Sequence, residues 1–176
     1  MREPGTVLEE SHERDKHAHT LEALAGRRFH RALEVGCSRG VLTELLAWRC
    51  RDLLAVDSSE EAVLATGERL RLRPWVRVER RALPEEMPAG PFDLIVCSEV
   101  LYRWTEAQVT EGLDAFTAAL RPGALLLGVH LTEGTGPHPL HGRRVHDLLR
   151  WHPSLTPVHG EDRPHYRLDL LERRFE

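Results

Sequence analysis

The sequence predicts an α/β domain in which a mostly parallel sheet carries helices on both faces and ends in an antiparallel hairpin. Three observations predict it. Five short apolar runs recur along the chain, longer amphipathic stretches separate them, and two strand-like runs joined by turn residues close the C-terminal end. With 176 residues and 41% hydrophobic content, one compact core is expected.

The first thirty residues are polar, with Ser11 to His19 dense in charge and histidine and a helical pattern emerging around Leu21 to Leu24. They read as an N-terminal helical cap (1–30) on a domain spanning 31–176. From Arg31 the rhythm changes. Strands are expected at Ala32 to Val35, Leu53 to Val56, Val76 to Arg80, Leu94 to Cys97 and Ala124 to His130. Between them lie helical patterns at Val41 to Trp48, Glu60 to Leu70 and Glu106 to Leu120, the last stopped by Arg121, Pro122 and Gly123. A helix at Leu140 to Arg150 precedes strands at Leu155 to His159 and His165 to Leu171, joined through Gly160 to Pro164. The count is seven strands, five parallel and two in the hairpin.

Composition excludes several function classes. A net charge of −4 leaves no basic stripe for gripping phosphate backbones, so nucleic acid is not an expected partner. The longest apolar runs, such as Ala124 to Val129, fall far short of the roughly 20 residues that span a bilayer. The N-terminus has no apolar signal region, and a cytoplasmic protein is the expectation. Cys37, Cys50 and Cys97 lack paired spacing and read as reduced thiols.

The strongest local signal is Leu33 to Gly40, where a buried strand runs into a helix through Gly36, Cys37, Ser38, Arg39 and Gly40. Glycines there let backbone turn sharply and approach a ligand. A dinucleotide fingerprint needs glycine at its third and sixth positions, which are Ser38 and Val41 here, so a nicotinamide-dependent reductase is disfavoured. Asp57 ends the next strand roughly 20 residues further on, the spacing of an acid that accepts from both hydroxyls of a ribose.

The loop resembles motif I of S-adenosylmethionine-dependent methyltransferases, acid-x-Gly-x-Gly-x-Gly, with Ser38 in place of the middle glycine. The resemblance implies that Glu34 acts on the methionine ammonium, directly or through water, and that Gly36, Cys37, Ser38 and Gly40 line the cofactor. Asp57 would hold the ribose, Ala82 and Leu83 would stand at the adenine, and Ser58 and Ser98 would also contact the cofactor. The seven-stranded pattern then implies a Rossmann-like class I methyltransferase fold.

The run Phe92 to Tyr102 places Ser98 and Glu99 just past a central strand, the edge at which open α/β sheets bind ligands. Enzymes that methylate amino groups of nucleobases or protein glutamine usually carry Asn or Asp followed by Pro-Pro and an aromatic at this point. Ser98-Glu99-Val100-Leu101 differs from that pattern. Together with Cys37-Ser38, Val129-His130 leading to Pro139-Leu140, and the tail Tyr166 to Arg173, this block resembles the NodS-type nodulation methyltransferases from about Arg14 to Arg173. The resemblance implies N-methylation of an amino-sugar or other small-molecule amine. A small-molecule O-methyltransferase and a non-catalytic cofactor-binding partner or regulator are the alternatives.

Two departures stand out: Ala82 sits where an acid usually accepts from the adenine amine, and the N-terminal segment is shorter than in the family. Methyl transfer to an amine needs positioning, exclusion of water and an acceptor for the nitrogen's proton. Glu99 is the first candidate for that role and His130 the second, with Tyr102 orienting the substrate. Each also has a purely structural reading: Glu99 as a turn cap, His130 as a hydrogen-bonded strand-end histidine, Tyr102 as core.

Other features carry less. Eleven histidines invite a metal reading, yet His138 with His141, or His141 with His146, has no cysteine or carboxylate framework. No metal is expected. Trp48, Trp75, Trp104 and Trp151 form no stacking series, and Arg69, Arg71, Arg73 and Arg77 read as a solvated face.

Overall fold

The structure, a computed structural model, describes residues 4–133 and 136–175, with side chains from residue 11 onward. Residues 1–3 of the expected N-terminal cap lie outside that range. In chain order the elements are α1 (Pro4–Ala23), β1 (Phe29–Val35), α2 (Val41–Ala47), β2 (Cys50–Asp57), α3 (Glu60–Arg69) and β3 (Val76–Arg80). There follow β4 (Phe92–Ser98), a 3-10 turn (Leu101–Arg103), α4 (Glu106–Ala119), β5 (Leu120–Leu131), α5 (Gly142–Trp151), β6 (Leu155–Asp162) and β7 (Tyr166–Arg173).

All seven strands form one sheet in the order β3-β2-β1-β4-β5-β7-β6. The first five strands pair in parallel, and β7 pairs antiparallel with both β5 and β6. The order reverses between β1 and β4, and the carboxyl ends of these strands open the crevice where such sheets take ligands.

The apolar runs are uninterrupted because central strands are covered on both faces. Leu33, Val35, Ile95 and Cys97 join one cluster with Phe116 of α4 and Leu149 of α5. Ala32, Leu94, Val96 and Val129 join another with Leu42 and Leu46 of α2 and Leu24 beyond α1. Alternate residues of one strand thus feed opposite layers.

Several boundaries differ from the sequence expectation, each for a local reason. Helix α1 runs a full 20 residues rather than surfacing near Leu21, because it lacks the apolar stripe by which helices are read. Strand β1 begins at Phe29, which is buried and whose N–H donates to Arg49 O at 2.7 Å. Arg121, Pro122 and Gly123 lie within β5, where the register against β4 is irregular, so this helix stop leads directly into a strand. Gly160 belongs to β6 rather than to the turn: a Cβ there would stand 2.7 Å from Asp169 Oδ1, so glycine makes room for that carboxylate.

Candidate active site

The crevice is an open cleft of about 1900 Å³ bordered by Glu34, Gly36, Ser38, Asp57, Leu83 and Glu99, with Cys37, Ser58 and Ser98 also on its wall. Nine of the residues selected from the sequence therefore share one cavity. Gly40 stands just behind it, while Ala82, Tyr102 and His130 are not on the wall.

Local geometry explains the loop. Gly36 (φ +80°) and Gly40 (φ +76°) are both left-handed, and Gly40 opens α2. A Cβ at Gly36 would press on Val100 at 3.1 Å, and one at Gly40 would meet Thr66 Cγ2 at 2.9 Å. Ser38, in the middle glycine's place, is also left-handed at φ +51°, a region that L residues enter at a cost. The loop thus keeps a glycine geometry without the glycine. It is tied down by Gly36 and Cys37 N–H donating to Val56 O (2.8 and 3.0 Å) and by the Thr66 hydroxyl donating to Ser38 O (2.9 Å).

Asp57 ends β2 with both carboxylate oxygens engaged: Oδ2 accepts from Ser38 N–H at 3.0 Å and Oδ1 from Ser59 N–H at 2.9 Å. Each oxygen retains a lone pair for a further donor. Ser59, not Asp57, caps α3, its hydroxyl accepting from Ala62 N–H.

Glu34 is buried at 2% exposure, and its Oε2 has no hydrogen-bond partner among the described residues. Burial pushes its carboxyl up to about 8; the Thr43 hydroxyl beside it offsets part of that rise, and Asp57 adds to it. A buried acceptor without a donor is costly, and such an atom facing a cleft fits a cationic ligand group. Burial also pushes the Cys37 and Cys50 thiols up to about 12, and Cys97 is pushed upward too, so all three are inert free cysteines.

Ala82, expected from the sequence to stand at the adenine, has an N–H that donates to Glu86 Oε2 at 2.6 Å. Buried Leu83 supplies an apolar wall beside it.

At the opposite end, Glu99 stands in a left-handed conformation (φ +56°) directly after β4. Its Oε1 accepts from Leu131 N–H at 2.8 Å and its Oε2 from the Tyr102 hydroxyl at 3.0 Å. Burial raises its pKa, while Lys16, Tyr102 and the Leu131 N–H counter the rise. Tyr102 is 4% exposed and reaches the cleft only through this bond to Glu99; burial drives its hydroxyl well above the usual phenol value.

His130 occupies a different place from the one expected of a proton acceptor. It is fully buried, its Nε2 accepts from Leu101 N–H at 3.2 Å, and its Nδ1 lies 3.2 Å from His146 Nε2. Neither nitrogen can meet a substrate in the cleft. The structural reading of this histidine is the one its geometry matches.

Nothing in the sequence marks Lys16. It is 1% exposed, donates to Glu13, and lies with Nζ 3.7 Å from Glu99 Oε1. Glu13 and His17 of α1 border the same cleft. These residues sit in a polar helix with no recognisable motif, and only the fold brings them to Glu99. Among the described residues no group of His, Cys, Asp and Glu could hold a metal ion, and no helix is long and apolar enough to cross a membrane.

The sheet order, the glycine-lined loop and the acid ending β2 define a Rossmann-like class I methyltransferase fold, the class that uses S-adenosylmethionine. The profile of the Methyltransferase domain family matches residues 33–126, more than half of the chain, and the protein belongs to that family. It is 36% identical over 121 residues to nodulation protein S of Rhizobium tropici, covering 65% of this chain and 49% of that protein. It is 38% identical over 88 residues to the ubiquinone biosynthesis O-methyltransferase of Methylococcus capsulatus, covering 48% of this chain and 35% of that one. The matches thus span half or less of these relatives. The structure superposes on the N-methyltransferase NodS of Bradyrhizobium japonicum with a TM-score of 0.83 and 25% identity, covering 93% of this chain and 97% of that chain. A complex of that protein with S-adenosylhomocysteine superposes with a TM-score of 0.81 at 24% identity, covering 92% and 87%.

Proposed function

We propose that this protein transfers a methyl group from S-adenosylmethionine to the nitrogen of a small amine, a saccharide amine first among them. The observation that carries the reading is Glu99, a carboxylate on the wall of the cleft directly after β4, whose two oxygens each keep a lone pair for a donor such as an amine N–H. Similarity to NodS, an N-methyltransferase, supports it.

The residues present fit the cofactor. Glu34, with its unpartnered Oε2, would hold the methionine ammonium; Asp57 would take the ribose hydroxyls, and Gly36, Cys37 and Ser38 would line the chain between them. Ser58, Leu83 and Ser98 would complete the wall, with Ala82 contributing backbone only. S-adenosylmethionine supplies a methyl made electrophilic by its sulfonium. Glu99 receives the acceptor: its carboxylate binds the nitrogen and takes the proton that nitrogen sheds as the new carbon–nitrogen bond forms. Tyr102 holds Glu99 in place through the bond to Oε2. Val100, beside Gly36 on the cleft wall, would help to keep water away from the methyl group.

A second reading, a hydroxyl acceptor, is favoured by Lys16 itself, whose charge would stabilise an oxyanion beside Glu99, and by the similarity to an O-methyltransferase. Incubation with S-adenosylmethionine and glucosamine oligomers, against their N-acetylated forms and a catechol, separates the two. Methylation of the free amine alone is the expected result. Methylation of the catechol alone would overturn the amine reading in favour of oxygen.

A further inference from the structure

We propose that Asp169, His146 and His130 form a buried positioning chain that sets the turn carrying Glu99 and Tyr102 through one defined histidine tautomer. The inference is independent of which acceptor the protein uses.

Glu99 is a non-glycine residue with φ +56°, and Leu101 begins a three-residue 3-10 helix, so backbone N–H groups here are taken out of the sheet ladder. Three consecutive residues at the end of β5 hold the turn, two by accepting its N–H groups and one by donating to the Glu99 carboxylate. Val129 O accepts from Glu99 N–H at 2.9 Å, His130 Nε2 accepts from Leu101 N–H at 3.2 Å, and Leu131 N–H donates to Glu99 Oε1 at 2.8 Å.

The middle grip fixes a proton. A backbone N–H can only donate, so His130 Nε2 must present its lone pair, and the proton of the neutral ring must sit on Nδ1. That Nδ1 lies 3.2 Å from His146 Nε2, which must therefore accept, leaving the second proton on His146 Nδ1. His146 Nδ1 in turn lies 2.7 Å from Asp169 Oδ2. Arg167 donates to both oxygens of Asp169, through Nε at 2.7 Å and Nη2 at 2.9 Å, and keeps it a carboxylate. Every donor thus meets an acceptor, from a charge on β7 to the turn after β4.

All three side chains are at most 1% exposed and none borders the cleft, so they act through the turn and not on a ligand. Buried polar groups are costly unless fully bonded, and apolar residues would fill the same space with less penalty. What the chain supplies is specificity of geometry. The His130 ring also backs Tyr102, edge-on at 5.8 Å, and so braces the residue whose hydroxyl bonds Glu99 Oε2.

Nitrogen-15 NMR of the histidine rings in the full chain at neutral pH tests the assignment. The expected spectrum has both His130 and His146 neutral, each with a protonated Nδ1 and a bare Nε2. A protonated Nε2 on His130, or a cationic ring, would overturn the proposal, and this reading needs no variant to fold. A second arm follows amide exchange in His146→Leu. The Leu101 amide should lose about tenfold or more of its protection, while Gly36 and Cys37 amides and S-adenosylhomocysteine affinity stay within roughly twofold. His146→Gln, which keeps an acceptor for His130 Nδ1, should restore most of it. Unchanged exchange at Leu101, or equal losses at Leu101 and Gly36, would refute the positioning role.

Discussion

Asp57 accepts a hydrogen bond from the backbone N–H of Ser38 at 3.0 Å, so the acid ending β2 also buttresses the loop that ends β1. Its other oxygen holds Ser59 N–H. One side chain therefore ties the loop after β1 to the start of α3. Asp57→Ala should weaken S-adenosylhomocysteine binding by roughly 100-fold and lower stability by about 1–2 kcal/mol. Asp57→Asn, which keeps one acceptor oxygen, should fall between. Calorimetric titration and thermal unfolding read the two effects separately, and unaltered affinity in Asp57→Ala would remove this residue from the ribose site.

In the proposed cofactor site, Glu34 carries a pH signature. In the ligand-free protein its carboxyl titrates near 8 rather than near its ordinary 4.5, chiefly because it is buried. Below about 4.5 it is protonated folded or unfolded. Between 4.5 and 8 the unfolded chain releases a proton that the folded protein keeps, so the stability from this group is lost progressively as pH rises. A cofactor ammonium reverses the preference by favouring the carboxylate. Binding at pH 7 should accordingly release up to about one proton, measurable by calorimetry in buffers of different ionisation heat. Glu34→Gln should abolish that release and flatten the stability profile of the free protein.

Ser38 holds a left-handed conformation in the position of a motif glycine. Ser38→Gly should relieve about 1 kcal/mol of backbone strain, raising the melting temperature of the free protein by roughly 2–4 °C without loss of cofactor binding. A lower melting temperature would show that the serine hydroxyl contributes more than the strain costs.

In the proposed reaction Glu99 binds the acceptor, whereas Glu34 and Asp57 bind the cofactor. Glu99→Gln preserves its shape and should leave S-adenosylhomocysteine affinity within roughly twofold while reducing methyl transfer by about 10²- to 10³-fold. Full activity in this variant would mean that the proton leaves by another route.

Much of this was legible because parallel strands buried on both faces write themselves as apolar runs, and because Gly36, Gly40 and Asp57 report backbone geometry directly. What lay hidden depends on contacts distant in sequence. His130 is a strand-end histidine in the text. Only the arrival of His146 from α5 and Leu101 from the 3-10 turn decides that both its nitrogens are used internally. Lys16 sits in a helix without an apolar stripe, so nothing local marks it as buried. Gly160 looks like a turn residue because its true reason, the carboxylate of Asp169, comes nine positions later.

The place of β7 between β5 and β6 has a consequence for how the chain is made. As the polypeptide leaves the ribosome, β6 emerges before the strand that joins it to the sheet. Until Tyr166–Arg173 follow, the long strand β5 presents an open edge, a template for pairing with other chains. Strand β7 therefore closes the sheet and, by bringing Asp169 to His146, completes the internal support of Glu99 in the same event. A nascent chain missing this strand would carry its whole glycine-lined loop and still be exposed to aggregation.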